Sequence, residues 1–289
     1  MNILNLEKKA LKTRLALIDF LRILGIILVT FQHISSHNPL LYSQYTISFN
    51  IWNMYQFDWG KVGVVLFLFA SGLALANSNL KIDSWKEVKE FYRKRLLRIY
   101  PAYYLSIILS ILLEPNILQK TFNALDIIKM ALGMQALGAR TEADIYGKIN
   151  GPLWFLTPLI LLYTLFPLLA YAIRKRPHVS ITAIFAINQV CLYIFSLSNV
   201  FFGANWWFPL CVIFEFSLGI YLIRLGVYPK TVIKNNVIIY LSNISFYIYL
   251  VNAPLLILGD CPLVFVTSLL IIGSIFYRFD YSIRKALFD

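Results

Sequence analysis

Charge is scarce in this chain. Only 14% of its 289 residues are Asp, Glu, Lys or Arg, while 59% are hydrophobic. An ordinary soluble domain carries about a quarter of its residues as charge, so that class is excluded. Cysteine is scarcer still. Cys191, Cys211 and Cys261 each sit in or beside an apolar segment, with no two at metal-ligand spacing, so no disulfide or metal chemistry is assigned to them. No P-loop, GxSxG elbow, HExxH pair or His/Cys/Asp/Glu cluster occurs. Phosphate cradling by a glycine-rich loop, serine-elbow hydrolysis and metal-assisted chemistry therefore have no sequence basis, and no metal is expected. No inverted repeat of the secondary-transporter type is visible. The first apolar run is long and lacks a small-residue cleavage site, so a cleavable signal peptide is not expected. No polar stretch exceeds a loop, so residues 1–289 read as a single integral membrane domain with no soluble domain appended.

Apolar runs dominate what is present. Mean hydropathy is +0.70. A bilayer core of roughly 30 Å takes about 20 apolar residues per helix, and lipid offers the backbone no hydrogen-bond partners, so spans should be helical. Spans are expected at about Leu15–Ile34, Gly60–Ala76, Ala102–Leu113, Pro152–Ile173, 179–197, 205–223, 237–257 and 262–277. The fold class is all-α, a polytopic transmembrane bundle of about 8–10 spans. Residues 125–139 are apolar but short and carry Lys129, so a re-entrant or interfacial segment is expected there. The segment Lys81–Tyr100 is basic, with Trp85, Val88, Tyr92, Leu96 and Ile99 at helical steps, and reads as an amphipathic helix on the membrane surface. Pro101 should then sit near the start of the next span.

The net charge of +12 raises the possibility of a nucleic-acid partner. The basic residues, however, cluster in short loops beside apolar runs, the pattern of cytoplasmic loops, so no nucleic acid is expected. Segments 78–100, 174–178, 224–235 and 278–289 are all basic and are expected in the cytoplasm, together with both termini. Residues 35–58 and 140–151 then lie outside.

Ionisable groups inside spans are costly and mark function by default. The first span holds Asp19, Arg22 and His33. Arg22 and His33 are eleven residues apart, about three turns and roughly 16 Å along one helix face. Asp19 is placed to pair with Arg22. Each residue also has a plain reading: Arg22 snorkels toward the basic end, and His33 is interfacial. Together on one face, with Gln32 and Ser35 near His33, they favour a functional role. Lys61 opens the second span as an anchor or a site residue. Glu215 lies mid-span and needs a partner from another span. Trp59, Trp154, Trp206 and Trp207 fit an aromatic belt. Ser242, Asn243, Ser245 and Asn252 make 237–257 polar, and interhelical hydrogen bonding is the simplest account.

Five segments together carry a family likeness. Ile18-Asp19-Phe20-Leu21-Arg22 through His33 supplies an Arg and a His separated by ten residues. Phe67-Leu68-Phe69-Ala70-Ser71-Gly72 is similar to an FFxxSG signature. Phe91-Tyr92-Arg93-Lys94-Arg95-Leu96-Leu97-Arg98-Ile99-Tyr100-Pro101 contains an RxxR…P segment. Leu153-Trp154-Phe155-Leu156 precedes Tyr163 and Pro167, and Ile244-Ser245-Phe246-Tyr247-Ile248-Tyr249-Leu250-Val251-Asn252 closes the set. In this order and over nearly the whole chain, they resemble the membrane-bound acyltransferase 3 family, which acylates glycans and other acceptors from acyl-CoA. Two positions depart. Leu159 stands where many members carry Glu, as in a Trp-Phe-Leu subgroup, and Asn252 stands where many carry His, which weakens a catalytic role there.

The resemblance implies an O-acyltransferase of the cell surface with acyl-CoA, acetyl-CoA by family frequency, as co-substrate and a carbohydrate acceptor. Arg22, Arg95 and Arg98 would meet the CoA phosphates. His33 would act as general base or as a covalent acyl carrier. Ser71 and Gly72 would line the acyl channel or pack helices. Asp19, Lys61, Trp154, Glu215 and Asn252 are supporting candidates. A transporter or flippase would use the same Arg, His and Glu as a conduction path, and an inactive relative would keep the fold as a binding module. Acyl transfer to an acceptor, with release of CoA, separates the first reading from the others. Oligomeric state is not legible.

Overall fold

The computed structural model describes residues 14–37, 49–51, 55–114, 116, 120–146, 148–197, 201, 203–231 and 233–288. The basic segment 1–13 and most of the loop before Trp59 lie outside the described residues. Helix α1 spans Ala16–His37. A small antiparallel hairpin follows, β1 Phe49–Ile51 with β2 Tyr55–Phe57. Helix α2, Trp59–Asn79, opens on Asp58, whose side chain accepts from the Lys61 N–H at 2.7 Å. Helix α3, Trp85–Leu113, opens on a Ser84/Glu87 capping box. Both caps satisfy first-turn N–H groups that the helix itself leaves open. Short helices α4, Ala124–Ala131, and α5, Glu142–Tyr146, precede a 3₁₀ turn at Gly151–Phe155. Then come α6 Leu156–Lys175, α7 Pro177–Leu197, α8 Ala204–Trp207, α9 Ile213–Leu225, α10 Asn236–Asn252 and α11 Pro262–Phe288.

The protein is an all-α polytopic bundle in which, among the described residues, six helices are long and apolar enough to cross a membrane. A shorter apolar helix, α10, and the interrupted pair α8 and α9 pack with them. One end of the bundle gathers Arg14, Arg22, Arg98, Arg174, Arg224 and Arg284. There Arg174 donates to Asp83 across the bundle, holding the Asp83 carboxyl below the usual carboxylate range, and Arg224 donates to the Arg174 carbonyl at 3.1 Å. The other end gathers His33, Lys61, Trp154, Trp206 and Asn252.

Close backbone approach fixes α2 between its neighbours. A Cβ on Gly63 would meet the Gly25 carbonyl of α1 at 2.6 Å, and a Cβ on Gly72 would overlap the Phe216 carbonyl of α9. Small residues at such crossings let membrane helices gain dispersion contacts that lipid cannot supply.

Four expectations change. The basic segment 81–100 and the third span are one helix, α3, with Pro101 inside it. Proline removes a single ladder N–H, and burial of Phe91, Ile99, Ala102 and Tyr103 along one face carries the helix through. The basic half docks on α6 instead of lying flat: Phe91 stacks on Phe166 at 5.0 Å, and the Tyr92 hydroxyl donates to the Thr164 carbonyl. The expected span 205–223 is broken between α8 and α9, where Pro209 opens a 3₁₀ turn. The span at 237–257 ends at Asn252, followed by a 3₁₀ turn. The tail after residue 277 is helical to Phe288, because Asp280 is fully buried and anchors it.

Residues 125–139 pack their helix end against the middle of α3. The C-terminal carbonyls of α4 receive hydroxyls from α3: Tyr103 donates to Met130, Tyr104 to Ala131 and Tyr100 to Leu132. Tyr103 lies ten residues before the end of α3, about 15 Å from it. Exposed carbonyls at that depth need partners inside the protein, and the tyrosines provide them.

Candidate functional site

Helix α1 carries a polar site at each end because α10 packs along it and pairs its polar residues. At the basic end Ser242 donates to Asp19 at 2.6 Å, and Arg14 donates to Asn243 at 3.1 Å. Arg14 also binds Asp19, at 2.6 Å, so the partner expected from Arg22 comes instead from Arg14. Toward the other end Asn252 donates through Nδ2 to Thr30 Oγ1 at 2.9 Å, and its Oδ1 lies 2.7 Å from His33 Nδ1.

That geometry sets the histidine's chemistry. An amide oxygen can only accept, so Nδ1 carries the proton and Nε2 is the basic nitrogen. Among the described residues, no protein group bonds Nε2. His33 lines a cavity of about 860 Å³ together with Gln32, Asp58, Lys61, Asn150, Trp154, Trp206 and Tyr249. Such a volume suits a ligand of drug or oligosaccharide size. Trp154 and Trp206 are 6.1 Å apart between ring centroids, and Lys61 Nζ sits 4.2 Å over the Trp206 ring. The aromatic-belt reading is therefore corrected for these two rings. Trp207 is buried, and Trp59 packs edge-on to Phe31.

At the basic end, Arg22 lies within electrostatic reach of Arg98 and Tyr163, and Arg95 within reach of Tyr163 and Arg98. The Arg98 guanidinium stands 5.5 Å over the Tyr247 ring, and Arg95 stands 5.7 Å over Phe91. Among the described residues, Arg22, Arg95 and Arg98 donate to no protein acceptor, and Arg95 Nε is buried without one. Asp19 is within electrostatic reach of Arg22, but no carboxylate hydrogen-bonds any of the three guanidinium groups among the described residues, an arrangement chemically suited to an anion.

Other candidates are placed elsewhere. Gly72 is filled against the Phe216 backbone, so its small size serves helix packing, and neither Ser71 nor Gly72 lines the cavity. Glu215 is half-buried, its buried Oε2 has no hydrogen-bond partner among the described residues, and it lines no part of the cavity. Among the described residues, no group of three His, Cys, Asp or Glu side chains is placed to hold a metal ion.

The family model described as acyltransferase domain, of the acyltransferase 3 type, matches residues 15–236. The chain belongs to the acyltransferase 3 family. It is a membrane acyltransferase, and the matched region holds His33 and the three arginines. No curated protein and no solved structure gives a significant match. The acyltransferase's last two helices carry Asn252, Tyr247 and Asp280, all beyond the matched residues. Asn252, the residue in contact with His33 Nδ1, thus lies beyond the family-model match, although it closes the last of the five segments.

Proposed function

We propose that this acyltransferase moves an acyl group, acetyl in the simplest case, from acyl-CoA to a hydroxyl of a carbohydrate acceptor. The CoA phosphates occupy the guanidinium cluster at the basic end, which faces the cytoplasm by the distribution of Lys and Arg. The α1–α2 seam is closed at Gly25 and Gly63, so the pantetheine arm follows another side of α1. Eleven residues of helix, about 16 Å, separate Arg22 from His33. The thioester then arrives beside His33, and the acceptor enters the cavity from outside.

His33 Nε2 takes the proton of the acceptor hydroxyl as its oxygen attacks the thioester carbonyl. The tetrahedral intermediate collapses, the C–S bond breaks, and the CoA thiolate takes the proton back from the imidazolium. An ester and free CoA leave, and the histidine returns to its starting tautomer. Asn252 keeps Nδ1 protonated throughout, so that Nε2 is always the nitrogen presented.

The observation that carries this reading is the His33–Asn252 contact at 2.7 Å with Nε2 left to the cavity. A conduction path would need Glu215 joined to one of the two sites, and it lines neither. The test is CoA release from acetyl-CoA by purified protein, with and without cell-surface glycan. Acceptor-stimulated release that disappears in a folded His33→Ala protein supports the reading. Release that persists in that variant overturns it.

A further inference from the structure

We propose that Arg284, on the last helix, is a fourth guanidinium of the donor's phosphate site and is positioned there by Asp280 and Tyr247. This rests on the acyl-CoA reading of the basic end.

Helix α11 continues past its apolar stretch to Phe288 and packs against α3 and α10. One face of that extension carries Phe276, Asp280 and Arg284 at steps of four. Asp280 is fully buried and accepts a hydrogen bond from the Tyr247 hydroxyl, and Tyr247 in turn lies beneath the Arg98 guanidinium. Arg284 Nε stands 2.8 Å from Asp280 Oδ2. This is a charge contact without hydrogen-bond alignment, since Nε has no hydrogen-bond partner. Arg284 lies within electrostatic reach of Arg95.

A helix-end arginine paired at i, i+4 is an ordinary surface device, favoured by the helix dipole and worth little. This pair is different in two respects. Its carboxylate is buried and tied to the residue that also supports Arg98. It also holds Arg284 toward other guanidinium groups, where repulsion alone would send a flexible cationic side chain out to water. The charge count points the same way. Arg22 and Arg95 lie within reach of Arg98, and Arg284 within reach of Arg95, while the carboxylates near them among the described residues are Asp19, bonded to Arg14, and Asp280, paired with Arg284. Positive charge in excess at a partly desolvated site calls for a multiply charged anion. The nucleotide end of CoA carries a diphosphate and a 3′-phosphate and meets that need. An anionic lipid headgroup shares the chemistry.

The experiment measures binding of CoA and of 3′-dephospho-CoA to the full-length detergent-purified protein, wild type against Arg284→Gln and Arg284→Lys. A parallel arm measures binding of phosphatidylglycerol in nanodiscs, and transfer is assayed with acetyl-pantetheine. Thermal unfolding confirms that each variant folds. CoA binding weakened about tenfold in Arg284→Gln and less in Arg284→Lys, with the KM for acetyl-pantetheine unchanged, supports the proposal. Equal CoA binding by wild type and Arg284→Gln overturns it. Loss of lipid binding with CoA binding unchanged assigns Arg284 to a headgroup and also overturns it. Wild type that binds no CoA overturns the donor reading itself, and this inference with it.

Discussion

His33 Nδ1 lies 2.7 Å from Asn252 Oδ1, and the same Asn252 donates to Thr30. The two bonds of one amide thus fix both which way Asn252 points and which nitrogen of His33 is basic. Asn252→Leu removes the acceptor while keeping the side chain's bulk. It should lower kcat by about 10- to 100-fold with the donor KM nearly unchanged, because tautomer and ring orientation are lost while binding is not. Asn252→Asp keeps an oxygen facing Nδ1 and should retain more activity than Asn252→Leu. Steady-state kinetics of the two variants, side by side, check this, and equal losses in both would remove Asn252 from its orienting role.

Replacing His33 by Ala deletes the proposed base and leaves its cavity open. Transfer should fall by about 10²- to 10⁴-fold, the range for a positioned acid–base group. CoA binding should persist, since the guanidinium cluster stands roughly 16 Å away along α1. Titration of CoA into the variant, beside the transfer assay, reads both halves of that expectation.

Arg98→Ala acts at the opposite end of α1's reach. It removes one of the three guanidinium groups without a protein acceptor and the cation resting on Tyr247. The acyl-CoA KM should rise about tenfold or more, the scale of one charge-assisted bond, with kcat changed little. An unchanged donor KM would place the phosphates elsewhere.

The bundle was legible because long apolar runs and basic loops report directly on the bilayer. His33 and the arginines were legible because charge inside an apolar span is rare enough to be noticed. What escaped was tertiary. Asp19 had Arg22 at helical spacing, yet Arg14, just before the helix, reaches it and binds it with Ser242. Asp280 sits in a basic tail that resembles a solvated loop, and only the continued step from Phe276 through Asp280 to Arg284 hinted at a helix. Trp154 and Trp206 carry the composition of a belt, and only the fold brings them together on the cavity wall. Asn252 was legible only as a supporting candidate, since the His that many relatives carry is missing there, and its contact with His33 comes from the fold.

Gly72 tests whether the FFxxSG segment is there for packing. A Cβ would overlap the Phe216 carbonyl, which is helix backbone and cannot step aside. Gly72→Val should destabilise the protein by about 1–3 kcal/mol or prevent its assembly, the usual cost of overpacking. Gly25→Ala, where the nearest atom is 3.0 Å away, should be milder. Thermal unfolding in detergent ranks the two, and a Gly72→Val protein as stable as wild type would contradict the close approach of α2 and α9.

The cavity's far wall depends on a carboxylate whose pH behaviour has a definite sign. Asp126 accepts from Lys148 at 2.7 Å, with the side chains 19% and 10% exposed, and Lys148 lines the cavity. Lys148 holds the Asp126 carboxyl below the usual range, chiefly through this bond. A carboxylate whose pKa is lowered by folding stabilises the fold above its ordinary pKa and loses that contribution as pH falls through the lowered value. The tether between α4 and the 148–151 turn should therefore hold from pH 7 down to roughly pH 5 and release only in stronger acid. Its worth is about 1 kcal/mol, since water reaches both groups. Asp126→Asn mimics the released state at every pH. Hydrogen exchange across 120–151 should be faster in Asp126→Asn than in wild type at pH 7, with the acceptor KM raised, and the difference should shrink as pH falls below the ordinary carboxylate range. Identical exchange at pH 7 would show that the pair does not hold segment 125–139 against the cavity.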